Sequence, residues 1–214
     1  MAAACGNLCR QSGSVVRALA NFITDFGDTA VTIPLAAAMT ILLTVVRRPR
    51  QALDWVASIA VVGGVITAAK LILAGCRHDV VISGVTSPSG HAALGSMVYG
   101  GFTLLLAPSL QPAGRRLLYA GTALLVAGIV VTRVILHAHT VAEVALGLAV
   151  GLASLAAFRA LLAAAPPPRL PVGWLCGGAL IVIAVMHGTR WPTEFAIHGI
   201  ARSGLFHALL PWCS

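Results

Sequence analysis

The sequence predicts an all-α fold: a polytopic membrane bundle of about six transmembrane helices with an interfacial N-terminal helix. Of the 214 residues, 58% are hydrophobic and only 9% are charged. The mean hydropathy is +0.94. Several apolar runs approach the roughly 20 residues that a helix needs to cross a bilayer. A soluble core would not need so many such runs.

The predicted spans follow one another with short connections and form a single membrane-embedded domain over residues 1–214. We expect them at residues 29–46, 52–75, 88–107, 117–136, 140–163 and 172–188. Residues 14–26 are amphipathic, which predicts an interfacial N-terminal segment within residues 1–28. Residues 189–214 mix Trp and Phe with His and Arg, which predicts an interfacial tail.

Arginines follow the first, third and fifth predicted spans, at positions 47, 48, 50, 115, 116, 159 and 169. Basic residues in short loops indicate the cytoplasmic side. They account for the net charge of +8 without a nucleic-acid partner. We therefore expect a multi-pass protein of the cell (inner) membrane, in contact with membrane lipids. The sequence leaves its oligomeric state open.

The opposite, extracytoplasmic face carries charged and histidine residues that topology does not require. Such residues near membrane spans are candidates for a functional site. Because the chain runs down and back between them, the stretches 70–77, 87–91 and 133–143 are expected to converge at this face.

Lys70 and Arg77 are seven residues apart, so on a helix they share a face at a separation of about 10 Å. Two cations on one face can bind an anion. The alternative is a pair of side chains that extend toward the membrane interface.

The segment Ser87-Pro88-Ser89-Gly90-His91 interrupts an apolar region. Ser87 suits the N-cap and Pro88 the first helical position, which would leave the amides of Ser89 and Gly90 without helical partners. A helix N-terminus of this kind binds anions. Ordinary helix capping is the alternative.

Arg133, His139 and Glu143 make up the third stretch. The Arg133 guanidinium suits phosphate oxygens. His139 and Glu143 are four residues apart, so the carboxylate can accept a proton from one ring nitrogen and leave the other nucleophilic. Thr140 and Glu143 also match a helix capping box. We expect that both roles cannot be fully served at once and favour the histidine pairing.

Together these residues resemble the signature of the type 2 phosphatidic acid phosphatase family: Lys-x6-Arg-Pro, Pro-Ser-Gly-His and Ser-Arg-x5-His-x3-Asp. Here the parts read Lys70-x6-Arg77-His78, Pro88-Ser89-Gly90-His91 and Thr132-Arg133-x5-His139-x3-Glu143. The order and spacings match. The sequence departs from the family at His78, Thr132 and Glu143.

The resemblance implies that His139 attacks phosphorus, that His91 protonates the leaving oxygen, and that Glu143 assists His139. The phosphate-binding residues that it implies are Lys70, Arg77, Ser89, Gly90 and Arg133. It implies no metal or other cofactor, and the substrate it implies is a lipid phosphate or diphosphate. Undecaprenyl diphosphate is slightly favoured over phosphatidic acid and phosphatidylglycerol phosphate, because an outward-facing site suits carrier recycling.

Three other interpretations stay open. A metal site at His137, His139 and Glu143 requires extended backbone at His137. A phosphotransferase on the same scaffold would pass the phosphoryl group to an acceptor other than water. A catalytically degenerate relative would bind lipid or a partner protein without turnover.

Two smaller predictions concern packing and cysteines. Gly147 and Gly151 are expected to let two helices approach closely. Five cysteines without a Cys-x-x-Cys pair do not indicate a disulfide framework, although a link between Cys76 and Cys213 stays open.

Overall fold

The computed structural model describes residues 2–76, 85–164 and 170–203. These ranges are mainly helical and contain no strand, which confirms the all-α prediction. The helices are α1 (Ala2–Asp25), α2 (Thr29–Val45), α3 (Pro49–Gly75), α4 (Gly90–Leu106), α5 (Pro112–Ile135), α6 (Val141–Ala163), α7 (Val172–Met186) and α8 (Thr193–Ala201).

Helices α2 to α7 correspond in order to the six predicted spans. In the described part of the chain, five helical segments are long and apolar enough to cross a membrane: Ser14–Val45, Pro49–Gly75, Gly90–Ser109, Pro112–Ile135 and Val141–Ala163. The protein is therefore a multi-pass membrane protein.

The sixth predicted span is shorter than expected. Helix α7 has 15 residues and a length of about 22 Å, against about 30 Å for the hydrocarbon core. It ends at Met186 because His187 is extended and Gly188 adopts a φ of +84°, a conformation open mainly to glycine.

Helix α4 is the central helix of the bundle and packs against α2, α3, α5 and α6. Its contact with α6 is close because two glycines face it. A side chain at Gly147 would collide with the backbone of Ser89, and one at Gly151 would collide with Ser96 and the carbonyl of Ala93. The predicted close approach at these glycines is confirmed, and it seats the start of α4 directly on α6.

Trp55 stabilises the end of the bundle that carries Arg47, Arg48 and Arg50. Its side chain is fully buried, and its Nε1 donates to the carbonyl oxygen of Ala36 at 3.0 Å. The indole ring also packs against Phe102 and Phe158. These contacts join α2, α3, α4 and α6 at the end of the bundle away from the candidate site. They stabilise the packing of the helices that carry the site.

The first and last described helices flank the site. Helix α1 packs against α5, and α8 packs against α3. The interfacial placement of residues 1–28 and 189–214 stays a prediction.

The structure adds information on the cysteine pairing that the sequence left open. Cys76, just after α3, is disulfide-bonded. Cys176 is free and exposed. Cys213 lies outside the described residues, so its pairing with Cys76 stays a prediction.

Candidate functional site

A cavity of about 490 Å³ lies between α2, α3, α4, α5 and α8. Four of the predicted site residues line it: Lys70, Gly90, His91 and Arg133. Lys70 lies five residues before the end of α3, Arg133 lies in the last turn of α5, and Gly90 and His91 begin α4. The described parts of the three predicted stretches therefore meet at one end of the bundle.

Lys70 is buried, with 4% of its surface exposed. Its ammonium group forms an ion pair with the carboxylate of Glu194 on α8. A buried ammonium needs a counter-charge, because desolvation without one is costly. In this arrangement a carboxylate lies where an anionic headgroup would meet Lys70.

Arg133 lies in the last turn of α5. Its Nε is buried and has no hydrogen-bond partner among the described residues. A buried donor without an acceptor costs free energy. The Arg133 side chain also lines the cavity, and a guanidinium there is suited to bind phosphate oxygens.

The start of α4 differs from the prediction. Ser89, and not Ser87, is the N-cap, and the helix begins at Gly90. The Ser89 amide donates to the carbonyl oxygen of Glu143 at 3.0 Å, so it is not available to an anion. Ser89 is fully buried, whereas Gly90 faces the cavity. The unpaired amides are expected at the first two helical positions, Gly90 and His91.

The physical reason for the later start is Glu143. Its Oε1 accepts from the amides of Thr86 and Ser87 at 2.7 and 2.8 Å. These bonds hold the segment before Pro88 against α6 in a non-helical conformation. The sequence pattern Ser-Pro was therefore misread as a cap and first helical position.

His91 faces a carboxylate. Its Nε2 lies 3.5 Å from Oδ2 of Asp28, the N-cap residue of α2. Both residues line the cavity.

His139 lies in the loop before α6. Its Nδ1 is 3.3 Å from Oε2 of Glu143, and 6% of its side chain is exposed. His139 does not line the cavity wall, but Lys70 and Arg133 interact electrostatically with both His139 and His91. Both histidines therefore lie close enough to Lys70 and Arg133 to feel their charges.

Glu143 serves both of the roles that the sequence analysis treated as exclusive. The same Oε2 that faces His139 accepts from the Thr140 amide at 2.9 Å, and the Thr140 hydroxyl caps the Glu143 amide. The capping box is complete. The expectation that one role excludes the other was wrong, because a carboxylate oxygen has two lone pairs.

Burial lowers the pKa of His139 below its ordinary value, and the charges of Arg133 and Lys70 lower it further. The hydrogen bond and charge of Glu143 act in the opposite direction. The net effect is a lowered pKa, which favours the neutral, nucleophilic form of the imidazole.

The remaining residues of the predicted sites are Arg77, His78 and His137. Arg77 and His78 lie outside the described residues, so the role of Arg77 stays a prediction. His137 has a φ of +52° and is exposed. The extended backbone that a metal site at His137, His139 and Glu143 would need is therefore not present.

Four charged residues of the cavity were not among the predicted site residues: Asp25, Asp28, Arg190 and Glu194. Arg190 pairs with Asp25 at 3.0 Å and with Asn21 at 3.2 Å. From the sequence alone, Asp25 and Asp28 are expected to cap or tether helices, and a contact with the cationic site stays open. The charged residues of the tail gave no spacing signal.

The fold and this cavity define a multi-pass helical membrane protein with a pocket at one end that bears a histidine and both basic and acidic side chains. The chain belongs to the PAP2 superfamily, whose family model matches residues 80–166. This membership supports a phosphatase-like activity on lipid phosphates and confirms the resemblance to the family; the matched residues include the second and third motifs but not Lys70 or Arg77.

A similar protein occurs in Klebsiella pneumoniae, under the description "Uncharacterized 22.5 kDa protein in cps region". The two chains are 30% identical over 187 residues, which cover 84% of this chain and 88% of that protein. No solved structure matches the chain.

Proposed function

We propose that this protein is a metal-independent lipid phosphatase that hydrolyses a phosphomonoester or diphosphate headgroup through a phosphohistidine intermediate. The observation that carries the proposal is the cavity lined by Lys70, His91 and Arg133, with the His139–Glu143 pair beside it. The substrate phosphate would occupy the cavity, bound by the two cations and by the amides at the start of α4.

In the first step, Nε2 of His139 attacks phosphorus while Nδ1 is held by Glu143. A P–N bond forms, the bond to the leaving oxygen breaks, and its electron pair stays on that oxygen, which takes a proton from His91. Because His139 is not among the residues that line the cavity, the proposal includes a local side-chain movement that brings it to the substrate.

In the second step, water attacks the phosphohistidine. His91 accepts a proton from the water, the P–N bond breaks, and inorganic phosphate leaves. Lys70 and Arg133 offset the charge on the phosphoryl oxygens in both steps. The chain has only six acidic residues, so the cationic side chains rather than a carboxylate-bound Mg²⁺ are assigned this role.

The described arginines at positions 47, 48, 50, 115 and 116 lie at the helix ends opposite the cavity, which supports an active site on the extracytoplasmic face of the cell membrane. A site at the membrane interface suits a substrate whose tail stays in the bilayer. Undecaprenyl diphosphate is the favoured candidate, followed by phosphatidic acid and phosphatidylglycerol phosphate; the preference rests on analogy within the family.

The test is phosphate release by purified protein in detergent, against these three lipids, with EDTA and vanadate arms. We expect release without an added acceptor, unaffected by EDTA and inhibited by vanadate. Release that needs an acceptor would instead indicate a phosphotransferase. Loss of activity with EDTA would overturn metal independence.

The matched variants are His139→Ala and His137→Ala, two histidines of one loop. We expect the first to abolish turnover and the acid-labile phosphoenzyme, and the second to retain both. If parent and His139→Ala are equally active, His139 is not the nucleophile. If the folded parent is inactive on every lipid, the lipid-binding alternative gains support.

A further inference from the structure

The two carboxylate oxygens of Asp28 have different neighbours. Oδ1 accepts from the Ala30 amide at 2.8 Å and caps α2. Oδ2 is directed at Nε2 of His91, 3.5 Å away. Helix capping needs only the first oxygen. The position of the second, on a residue with 6% exposure, is not explained by capping.

The turn before α2 is built against His91. A side chain at Gly27 would lie 3.2 Å from Cβ of His91 and 2.8 Å from Cγ2 of Ile129, so only glycine fits without a shift. The Tyr99 hydroxyl donates to the carbonyl oxygen of Phe26 at 2.7 Å, which ties this turn to α4. The Asp28 carboxylate is thereby held in a fixed position relative to the His91 ring.

We propose that Asp28 is the positioning residue of His91, so that each histidine of the site has its own carboxylate partner. This inference rests on the proposed function. A histidine that acts as a general acid must carry a proton on both ring nitrogens before it transfers one. Asp28 holds the proton on Nε2 and stabilises the imidazolium, while the proton on Nδ1 is free to pass to the leaving oxygen. Asp28 itself stays ionised throughout.

The charges around His91 explain why this histidine needs a carboxylate partner. Lys70 and Arg133 both act electrostatically on His91, and two nearby cations oppose a third positive charge. The Asp28 carboxylate compensates for them. Without Asp28, a protonated His91 would lose a carboxylate 3.5 Å from its ring, while Lys70 and Arg133 would still oppose its charge.

The variant Asp28→Asn separates this task from capping, because Asn caps helices about as well as Asp. Its amide can keep its oxygen on Ala30, which directs the NH₂ group at His91 and favours a neutral ring with the proton on Nδ1. In the serine protease triad the equivalent change fixes the wrong tautomer and lowers kcat about 10⁴-fold. Asp28→Ala would lose the cap as well and lower the melting temperature.

The kinetic test compares two substrates, a lipid phosphate with a poor leaving group and p-nitrophenyl phosphate, whose leaving group needs no acid. For Asp28→Asn we expect kcat/KM to fall about 10- to 100-fold on the lipid phosphate, since general acids contribute about 10²–10⁴-fold. On p-nitrophenyl phosphate we expect a change of less than about threefold. Equal losses on both, or no loss on either, would overturn the proposal.

Two controls complete the design. Asp54→Asn, at the far end of α3, removes one negative charge without touching the cavity and should leave both substrates unaffected. Nitrogen-15 NMR of the histidine rings reports the His91 tautomer without turnover. We expect Nε2 protonation in the parent and Nδ1 protonation in Asp28→Asn.

An unchanged tautomer would also overturn the proposal. If the parent hydrolyses neither substrate, the proposed function fails. The NMR result then decides by itself whether Asp28 orients His91.

Discussion

Oε2 of Glu143 lies 3.3 Å from Nδ1 of His139, while Oε1 of the same side chain holds the segment before α4 through Thr86 and Ser87. The backbone oxygen of Glu143 also accepts from Ser89. One residue therefore fixes both the candidate nucleophile and the loop that leads to His91. A side chain with these bonds cannot move without moving both.

The first prediction concerns the length and charge of this side chain. Glu143→Gln keeps the length but removes the charge, and it turns an amide donor toward groups that already donate. We expect kcat to fall about 100-fold or more and stability to fall by about 2 kcal/mol or more, because bonds to a buried charge are lost.

Glu143→Asp is the matched variant, since it keeps the charge and restores the residue of the family signature. One methylene shorter, it cannot reach the 86–87 segment and His139 together, so we expect a loss of about tenfold or more in kcat. Turnover on a lipid phosphate and thermal unfolding measure both variants. An Asp variant as active and stable as the parent would contradict the prediction.

The second prediction concerns pH. Burial and two neighbouring cations lower the pKa of His139 below its ordinary value of about 6.5, so the neutral nucleophile persists below that pH. We expect a directly titrated His139, followed by histidine NMR, to protonate below pH 6.5. In Lys70→Met the pKa should rise toward the ordinary value, because one opposing charge is gone. A parent pKa at or above 6.5 would refute the prediction.

The same shift has a consequence for stability. Because the folded state binds the proton more weakly than the unfolded state, the unfolded state carries more protons below about pH 6.5. The contribution of His139 therefore lowers stability as the pH falls from about 6.5 through the folded-state pKa.

The third prediction concerns the ion pair between Lys70 and Glu194. An anionic headgroup that binds Lys70 must compete with this carboxylate. Glu194→Gln removes the competitor, and we expect KM for a lipid phosphate to fall by up to about fivefold, the equivalent of the roughly 1 kcal/mol that a partly exposed pair contributes. The value of kcat should change little, because Glu194 is not assigned to the chemistry.

Asp54→Asn serves as the control for net charge. Asp54 lies 16 positions before Lys70 on α3, or about 24 Å along the helix, and its variant should leave KM unchanged. An unchanged or raised KM in Glu194→Gln, measured beside this control, would show that Glu194 does not compete with substrate.

The sequence predicted the parts that depend on hydropathy and local spacing. Apolar runs located the six main helices, and their alternating direction correctly brought Lys70, His91 and Arg133 together. The Ser87 cap was wrong because a carboxylate 56 positions away outcompeted the local pattern. No spacing rule connects such distant residues.

The same limit explains the pairing of Lys70 with Glu194, which are 124 positions apart. Asp28 was recognised as a helix cap, but a sequence does not show where the second oxygen of a capping carboxylate points. That direction depends on how α2 and α4 pack, which only the tertiary structure provides.

The guanidinium of Arg133, a residue of the cavity lining, favours any tetrahedral oxyanion, whether or not it is still esterified. Orthophosphate set free by hydrolysis offers the same oxygens as the substrate. The cavity that binds the ester would therefore also bind the phosphate product. The overall turnover rate would then depend on how quickly that phosphate dissociates.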